Sequence, residues 1–235
     1  MADKRIADLF NIRNRFLRSV QLERDFQDST ALSGYVPTSF VHQSFDRIGE
    51  GLRPRSGQRA WRITGDYGSG KSSFALLLAH AFAGQIKALS TELRKVVDLR
   101  KHGAPCPKFL PVLVTCSRQP LGTSILKALQ QCIHDLYGKS AKSKEIHRLH
   151  HLLTTAQSAD EADIVAAILA ANSRIMADGK SQGLLLILDE LGKFLEFAAV
   201  HPEHQDVFLL QRLAEAAVFA GVHPAPDRQL VRCQP

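Results

Sequence analysis

The residues with the clearest chemical role form a glycine-rich loop at positions 65–72. Its sequence is Gly65-Asp66-Tyr67-Gly68-Ser69-Gly70-Lys71-Ser72. Glycine adopts conformations that a side chain resists, so the backbone can wrap closely around a phosphate. The N–H groups of such a loop, with the dipole of a following helix, stabilise negative charge. This segment, the glycine loop, therefore predicts a binding site for a polyphosphate.

Side chains at the end of the glycine loop have separate predicted roles. Lys71 is expected to reach the β- and γ-phosphates as a point charge, and the Ser72 hydroxyl is expected to ligate Mg²⁺. Ser73 follows in the first turn of the predicted helix, and we include it among the phosphate-binding residues. The alternative is a chance match to a degenerate pattern, which a strand before the loop and a helix after it argue against.

Two adjacent carboxylates follow a continuous apolar run. Residues 184–188 are all leucine or isoleucine, which is typical of a strand buried on both faces of a parallel sheet. The carboxyl end of such a strand opens onto the crevice where α/β sheets bind ligands. Asp189 is therefore predicted to hold Mg²⁺, and Glu190 to polarise an attacking water as a general base. The alternative is a buried strand followed by the acidic first turn of a solvated helix.

The predicted elements place both groups of residues in one sheet. Strands are predicted at about 60–64, 109–116 and 184–189, and Pro111 must lie near the start of its strand or on an edge. Helices are predicted at about 3–27, 40–52, 73–82, 90–102, 123–137, 144–154, 159–177, 194–200 and 206–220. We therefore expect an α/β fold with about three core strands and a helical N-terminal extension.

The two motifs resemble the Walker A and Walker B motifs of P-loop ATPases of the additional-strand, catalytic-glutamate division. That division includes the AAA+, origin-recognition-like and STAND-type ATPases. Residues 188–196 are also similar to a string in the N-terminal ATPase part of large bacterial ATP-binding proteins of phage-defence gene clusters. The resemblance covers roughly residues 35–220, of which only the two motifs are specific.

This resemblance implies a three-layer α/β/α P-loop NTPase fold with a mainly parallel sheet. It implies ATP and Mg²⁺ as cofactors, and Mg²⁺-dependent ATP hydrolysis coupled to conformational change in a larger assembly. Glu190 and Lys71 would be the catalytic residues, with Ser72 and Asp189 at the metal. Tyr35 and Val36, upstream of the glycine loop, would contact the adenine, although an ordinary packed tyrosine and valine is an equal alternative.

The resemblance also divides the chain into three parts. Residues 1–34 are expected to be a helical extension and connector, 35–221 a partial ATPase core, and 222–235 an irregular tail. In the family, the strand after Walker B inserts between it and the glycine-loop strand, but Pro224 and Pro226 oppose a central strand here. We therefore expect the front part of a longer ATPase, with an incomplete sheet and weak activity of its own.

The charge of the chain leaves other functions open. Its net charge of +7 permits contact with nucleic acid without establishing it. The basic residues form two stretches, which are Arg53, Arg55, Arg59 and Arg62, and Lys139, Lys142, Lys144 and Arg148. No aromatic residues interleave with them as stacking platforms, so solvated surface is favoured. The alternatives to hydrolysis are a non-hydrolysing nucleotide-binding fragment and a DNA-dependent motor or loader. For the protein as a whole we expect a protein partner or a self-oligomer.

The remaining composition favours a reduced, cytoplasmic protein without a membrane segment. No apolar stretch approaches the roughly 20 residues that span a bilayer. The four cysteines are widely spaced and form no C-x-x-C pattern. His147, His150 and His151 have a spacing that could suit a metal, but no acidic or thiol ligand completes such a site, so we interpret them as solvated surface.

Overall fold

A computed structural model describes residues 19–53, 56–99, 107–138, 144–156, 160–201 and 206–220. In this part of the chain the structure is mixed α/β, with many helices and a small sheet. In chain order the elements are α1 (Leu22–Asp25), α2 (Ser39–Gly51), α3 (Lys71–Phe82), α4 (Thr91–Val96), β1 (Leu110–Thr115), α5 (Leu121–Tyr137), α6 (Lys144–Ala156), α7 (Glu161–Ala177), β2 (Leu184–Asp189), α8 (Leu191–Val200) and α9 (Asp206–Ala220). None of the described helices has the length and apolarity needed to cross a membrane.

Most of the predicted helices are confirmed, and two are shorter than expected. The predicted helix at 3–27 is described only from residue 19, and there α1 covers four residues. The helix predicted at 90–102 begins after Ser90, whose hydroxyl accepts the N–H of Leu93 at 3.3 Å, but it ends at Val96. It ends early because two consecutive β-branched valines and Asp98 favour a helix less than unbranched residues do.

The sheet consists of two parallel strands, as predicted for residues 109–116 and 184–189. Leu110 pairs with Leu184 and Thr115 with Asp189, and the helices α5, α6 and α7 form the crossover between the strands. The N–H of Leu110 donates to the Gly183 carbonyl at 2.9 Å, and the N–H of Cys116 donates to the Asp189 carbonyl at 2.8 Å. These bonds bring the carboxyl ends of both strands to the same edge of the fold.

Buried cores lie on both faces of this sheet, because successive side chains of a strand point to opposite faces. On one face, Val112 and Val114 pack in a core with buried residues of α5–α9. On the other face, Leu113 and Ile187 pack in a core with buried residues of α2, α3 and α4. The second core includes Phe74, Leu77 and other side chains of α3, so it fixes the helix that follows the glycine loop.

The predicted third strand at 60–64 is wrong, because residues 56–66 form neither helix nor strand. A strand needs a neighbouring edge for its hydrogen bonds, and a groove of about 1760 Å³ is lined both by this segment and by β2. We call this space the groove, and its lining includes residues 59–65, most of the glycine loop, β2 and residues of α7 and α9. The expectation of about three core strands is thus corrected to two within the described residues, while residues 1–18 and the predicted tail at 222–235 lie outside them.

Candidate functional site

The glycine loop caps the amino end of α3 through two glycines in the left-handed conformation. Gly68 has φ 79° and Gly70 has φ 85°, and α3 begins directly after Gly70. A Cβ atom added at either position would have no other atom within 4 Å, so a side chain would not be crowded there. Glycine is favoured because other L-residues are strained at a positive φ. Gly70 is the N-cap, and no side chain caps the helix there. The first N–H groups of α3 therefore remain available at the loop.

The side chain of Lys71 folds back onto the glycine loop. Its Nζ donates to the carbonyls of Gly65 at 2.8 Å and Asp66 at 2.7 Å, with the Ser69 hydroxyl at 3.5 Å. The N–H of Ser69 donates to the Asp66 carbonyl at 3.2 Å and closes a turn within the loop. The ammonium group thus takes neutral carbonyl oxygens as acceptors at the position where the sequence predicts phosphate binding.

The structure brings most of the predicted site residues to the groove. Those lining it are Gly65, Tyr67, Gly68, Gly70, Lys71, Ser72, Ser73, Tyr35, Asp189 and Glu190. Asp66 and Ser69 lie exposed on the glycine loop. Val36 is 71% exposed and is not among the lining residues, so the structure does not place it with the site. Val36 lies in the irregular segment before α2, and its side chain is exposed to solvent there.

The two predicted carboxylates stand at the junction of β2 and α8. Asp189 is the last residue of β2, and its Oδ1 accepts the N–H of Glu190 at 2.9 Å. Glu190 has φ 54°, the one positive φ of a non-glycine residue in the described part of the chain. Backbone strain of this kind clusters at functional sites, because the surrounding structure must hold it in place. Here the direct passage from strand to helix imposes it.

The carboxylate of Glu190 is paired within its own helix. It forms an ion pair with the Nζ of Lys193, one turn further along α8. The hydrogen bond and negative charge of Glu190 raise the pKa of Lys193. Lys193 also lies within electrostatic reach of Arg118 and of Tyr67 at the tip of the glycine loop. Glu190, the candidate general base, is therefore paired with a positive charge that lies within electrostatic reach of the glycine loop.

Sequence reasoning missed a third carboxylate at the carboxyl end of the sheet. Glu23 of α1 accepts the Thr115 N–H at 2.6 Å through Oε1 and the Thr115 hydroxyl at 2.7 Å through Oε2. Burial raises the pKa of the neighbouring Cys116 thiol to about 11, with further contributions from Asp189, Glu23 and Glu190. No local pattern marks Glu23, because its partner lies 92 residues away in the chain.

Aromatic rings also reach the groove. Tyr35 is half-buried there, and burial raises the pKa of its hydroxyl. Trp61 lines the same groove with 39% of its surface exposed, and the sequence analysis did not single it out. A Cβ atom at Gly51 would collide with the Trp61 ring, so this glycine makes room for the indole. A planar base could stack on such rings.

Of the basic residues considered for nucleic acid, Arg59 and Arg62 line the groove. Arg59 donates to the carbonyls of Leu52 at 3.4 Å and Arg53 at 3.5 Å, and burial lowers its pKa, so it serves the local loop. Arg55, Lys139 and Lys142 lie outside the described residues. In the described chain no three histidine, cysteine or acidic residues are arranged to hold a metal by themselves, and this includes the histidines of α6.

Comparisons of the chain with protein-family models, with curated proteins and with solved structures found no match. The function must therefore be inferred from the residues of the chain and their geometry.

Proposed function

We propose that this chain binds ATP with Mg²⁺ at the glycine loop, as a P-loop ATPase of the additional-strand, catalytic-glutamate division. The observation that carries the proposal is the position of Lys71, which bonds the carbonyls of Gly65 and Asp66 beside the uncapped amino end of α3. Helices on both faces of a parallel sheet support the finer expectation of a three-layer α/β/α fold.

The glycine loop favours an anion for two reasons. The first-turn N–H groups of α3 lack intrahelical partners, and the helix dipole favours negative charge at this end. Second, the ammonium group of Lys71 forms stronger hydrogen bonds to charged phosphate oxygens than to the neutral carbonyls that accept its hydrogen bonds in the structure. A polyphosphate at the loop would therefore displace Lys71 from Gly65 and Asp66.

Ser72 and Asp189 are the residues that would hold the metal. Mg²⁺ commonly binds through one or two carboxylates together with substrate phosphates and water, so a site that is incomplete without nucleotide fits it. Bound Mg²⁺ would neutralise charge on the phosphates. Tyr35 and Trp61 offer the ring surfaces for the base, and Trp61 here takes the place predicted for Val36.

Hydrolysis requires Glu190 to accept a proton from water. In the structure its carboxylate is paired with Lys193 instead of being free to contact a water molecule at the glycine loop. We therefore expect turnover by the isolated chain to be slow, and coupled to a conformational change in a larger assembly that opens this pair. The same ion pair favours a second candidate function, in which the chain binds nucleotide without hydrolysing it.

Thermal unfolding with and without Mg-ATP tests the binding proposal. Ligand that binds only the native state stabilises it by about 2.7 kcal/mol at a concentration of 100 times Kd. The parent chain should gain Tm with Mg-ATP, and Lys71→Ala should lose most of this gain.

Lys95→Ala is the matched control, since Lys95 is an exposed lysine of α4 that does not line the groove. It should keep the full gain in Tm. An equal gain in the parent chain and in Lys71→Ala would overturn binding at the glycine loop.

A further inference from the structure

Residues 19–35, which we call the strap, contact the carboxyl end of β1, the helix α3 and the groove. Leu22 and Leu32 are buried in the core that contains the side chains of α3. The ring of Phe26 packs against the ring of His80 in α3, with the ring centroids 4.9 Å apart. Tyr35, at the end of the strap, lines the groove. The strap is therefore attached to the same helix that follows the glycine loop.

A polar contact attaches the strap to the sheet. The carboxylate of Glu23 accepts both the N–H of Thr115, at 2.6 Å, and its hydroxyl, at 2.7 Å. The N–H of Thr115 points away from β2, because the next residue, Cys116, donates to β2. We call the contact between Glu23 and Thr115 the clasp. Because it is exposed to solvent, water can replace either partner, and the clasp can open at a modest cost.

The clasp lies beside the two carboxylates at the end of β2. Thr115 pairs with Asp189 in the sheet, and the N–H of Cys116 donates to the Asp189 carbonyl at 2.8 Å. Burial raises the pKa of the Cys116 thiol, and the charges of Asp189, Glu23 and Glu190 raise it as well, so all three carboxylates act on this one side chain. Like charges this close to each other repel. Without a cation, the closed clasp therefore holds Glu23 against the repulsion of its neighbours.

We propose that Glu23 is a positioning residue that couples the strap to the metal at the candidate site. The inference rests on the proposed function, in which Mg²⁺ binds at Asp189 together with the nucleotide. A divalent cation there offsets the repulsion between Glu23 and the carboxylates of β2, and so favours the closed clasp. The closed clasp holds the strap, with Tyr35 at its end, against the groove. Because such coupling is reciprocal, the closed clasp in turn strengthens the binding of Mg-nucleotide by the same factor.

Amide hydrogen exchange of the full chain, measured by NMR, tests the coupling. The reporters are the amide of Thr115, which donates to Glu23, and the amide of Phe26, which donates to the Leu22 carbonyl within the strap. In the free chain, Glu23→Ala should speed the exchange of both amides by at least about tenfold. Saturating Mg-ATP should slow both amides by about fivefold in the parent chain. ATP in the presence of EDTA supplies no metal and should not slow them.

Two further variants separate the coupling from a purely structural role of Glu23. Glu23→Gln keeps an oxygen for the Thr115 N–H but removes the charge. It should therefore keep more protection in the free chain than Glu23→Ala does, and still lose the slowing by Mg-ATP. Its Kd for Mg-ATP should rise by about fivefold, while its Kd for ATP in EDTA should stay the same. Glu50→Ala, at an exposed site of α2 outside the groove, is the matched control and should behave like the parent chain.

Three results would overturn the inference. The first is equal slowing by Mg-ATP in the parent chain and in Glu23→Gln, which would leave nucleotide binding standing without the coupling. The second is faster exchange of the Thr115 amide on addition of Mg-ATP, which would mean that Glu23 leaves Thr115 when the metal binds. The third is a parent chain that gains no Tm with Mg-ATP, a result that removes the proposed function and the coupling together and is recognised in the unfolding experiment alone.

Discussion

The two ends of the candidate site hold their key charges in different ways. At the glycine loop, Lys71 donates to neutral carbonyls of its own loop. At the end of β2, Glu190 is paired with the opposite charge of Lys193. A phosphate outcompetes a neutral carbonyl for an ammonium group, whereas the exposed ion pair of Glu190 with Lys193 is a weak restraint on the carboxylate. Under the proposed function, such a site would bind nucleotide readily and would have to open the ion pair of Glu190 before hydrolysis.

The largest effect is expected at the carboxylate end. Glu190→Gln removes the proposed base and should lower the rate of phosphate release by about 10²–10⁴-fold, the usual range for loss of general base catalysis. The Kd for Mg-ATP should stay nearly unchanged, because this carboxylate contacts Lys193 and not the glycine loop. Rapid single-turnover assays with separate binding titrations would measure both. Robust turnover that survives the substitution would remove Glu190 from the mechanism.

A smaller effect is expected at the loop end. Gly70→Ala puts a side chain at φ 85°, which costs about 1–2 kcal/mol for an L-residue, so the Kd for Mg-ATP should rise about tenfold. Gly179→Ala is the matched control, because Gly179 also has a positive φ, 63°, and open space around an added Cβ but does not line the groove, so it should change the Kd little. Calorimetric titration gives both values. Equal affinity in the two variants would mean that the left-handed turn is not needed for binding.

The smallest effect is expected from removal of the ion pair between Glu190 and Lys193. Lys193→Ala should raise the rate of hydrolysis by up to about fivefold, the range expected for an exposed ion pair, and leave the Kd unchanged. Lys193→Arg should behave like the parent chain, because it keeps the pair. Because Glu190 raises the pKa of Lys193, the pair persists at neutral pH and is lost only as the pH rises through that pKa. A rate that falls in Lys193→Ala would assign Lys193 a supporting role in the reaction instead.

Local features of the fold were predictable from the sequence. The glycine loop and the start of α3 follow from residues that are adjacent in the chain, and the apolar run of β2 indicates its burial directly. Pro111 was predicted to lie near the start of its strand or on an edge, because a residue without an N–H cannot serve a central strand, and it is the second residue of β1.

Features that depend on distant partners were not predictable. Residues 60–64 have the composition of a strand, but whether they form one depends on an edge within hydrogen-bonding reach, which sequence patterns do not show. The bonds between Glu23 and Thr115 join segments 92 residues apart. The left-handed backbone of Glu190 arises from the join of β2 to α8, and a glutamate gives no sign of it in advance.

The folded-back position of Lys71 has a kinetic consequence. The loop already holds a turn and a helix start around its lysine, so under the proposed function an arriving nucleotide would exchange one set of acceptors of Lys71 for another without having to form this turn. Binding that needs no ordering loses little conformational entropy and proceeds at the rate of productive encounter. Differences in affinity among nucleotides should therefore appear in their residence times on the protein and hardly at all in their association rates.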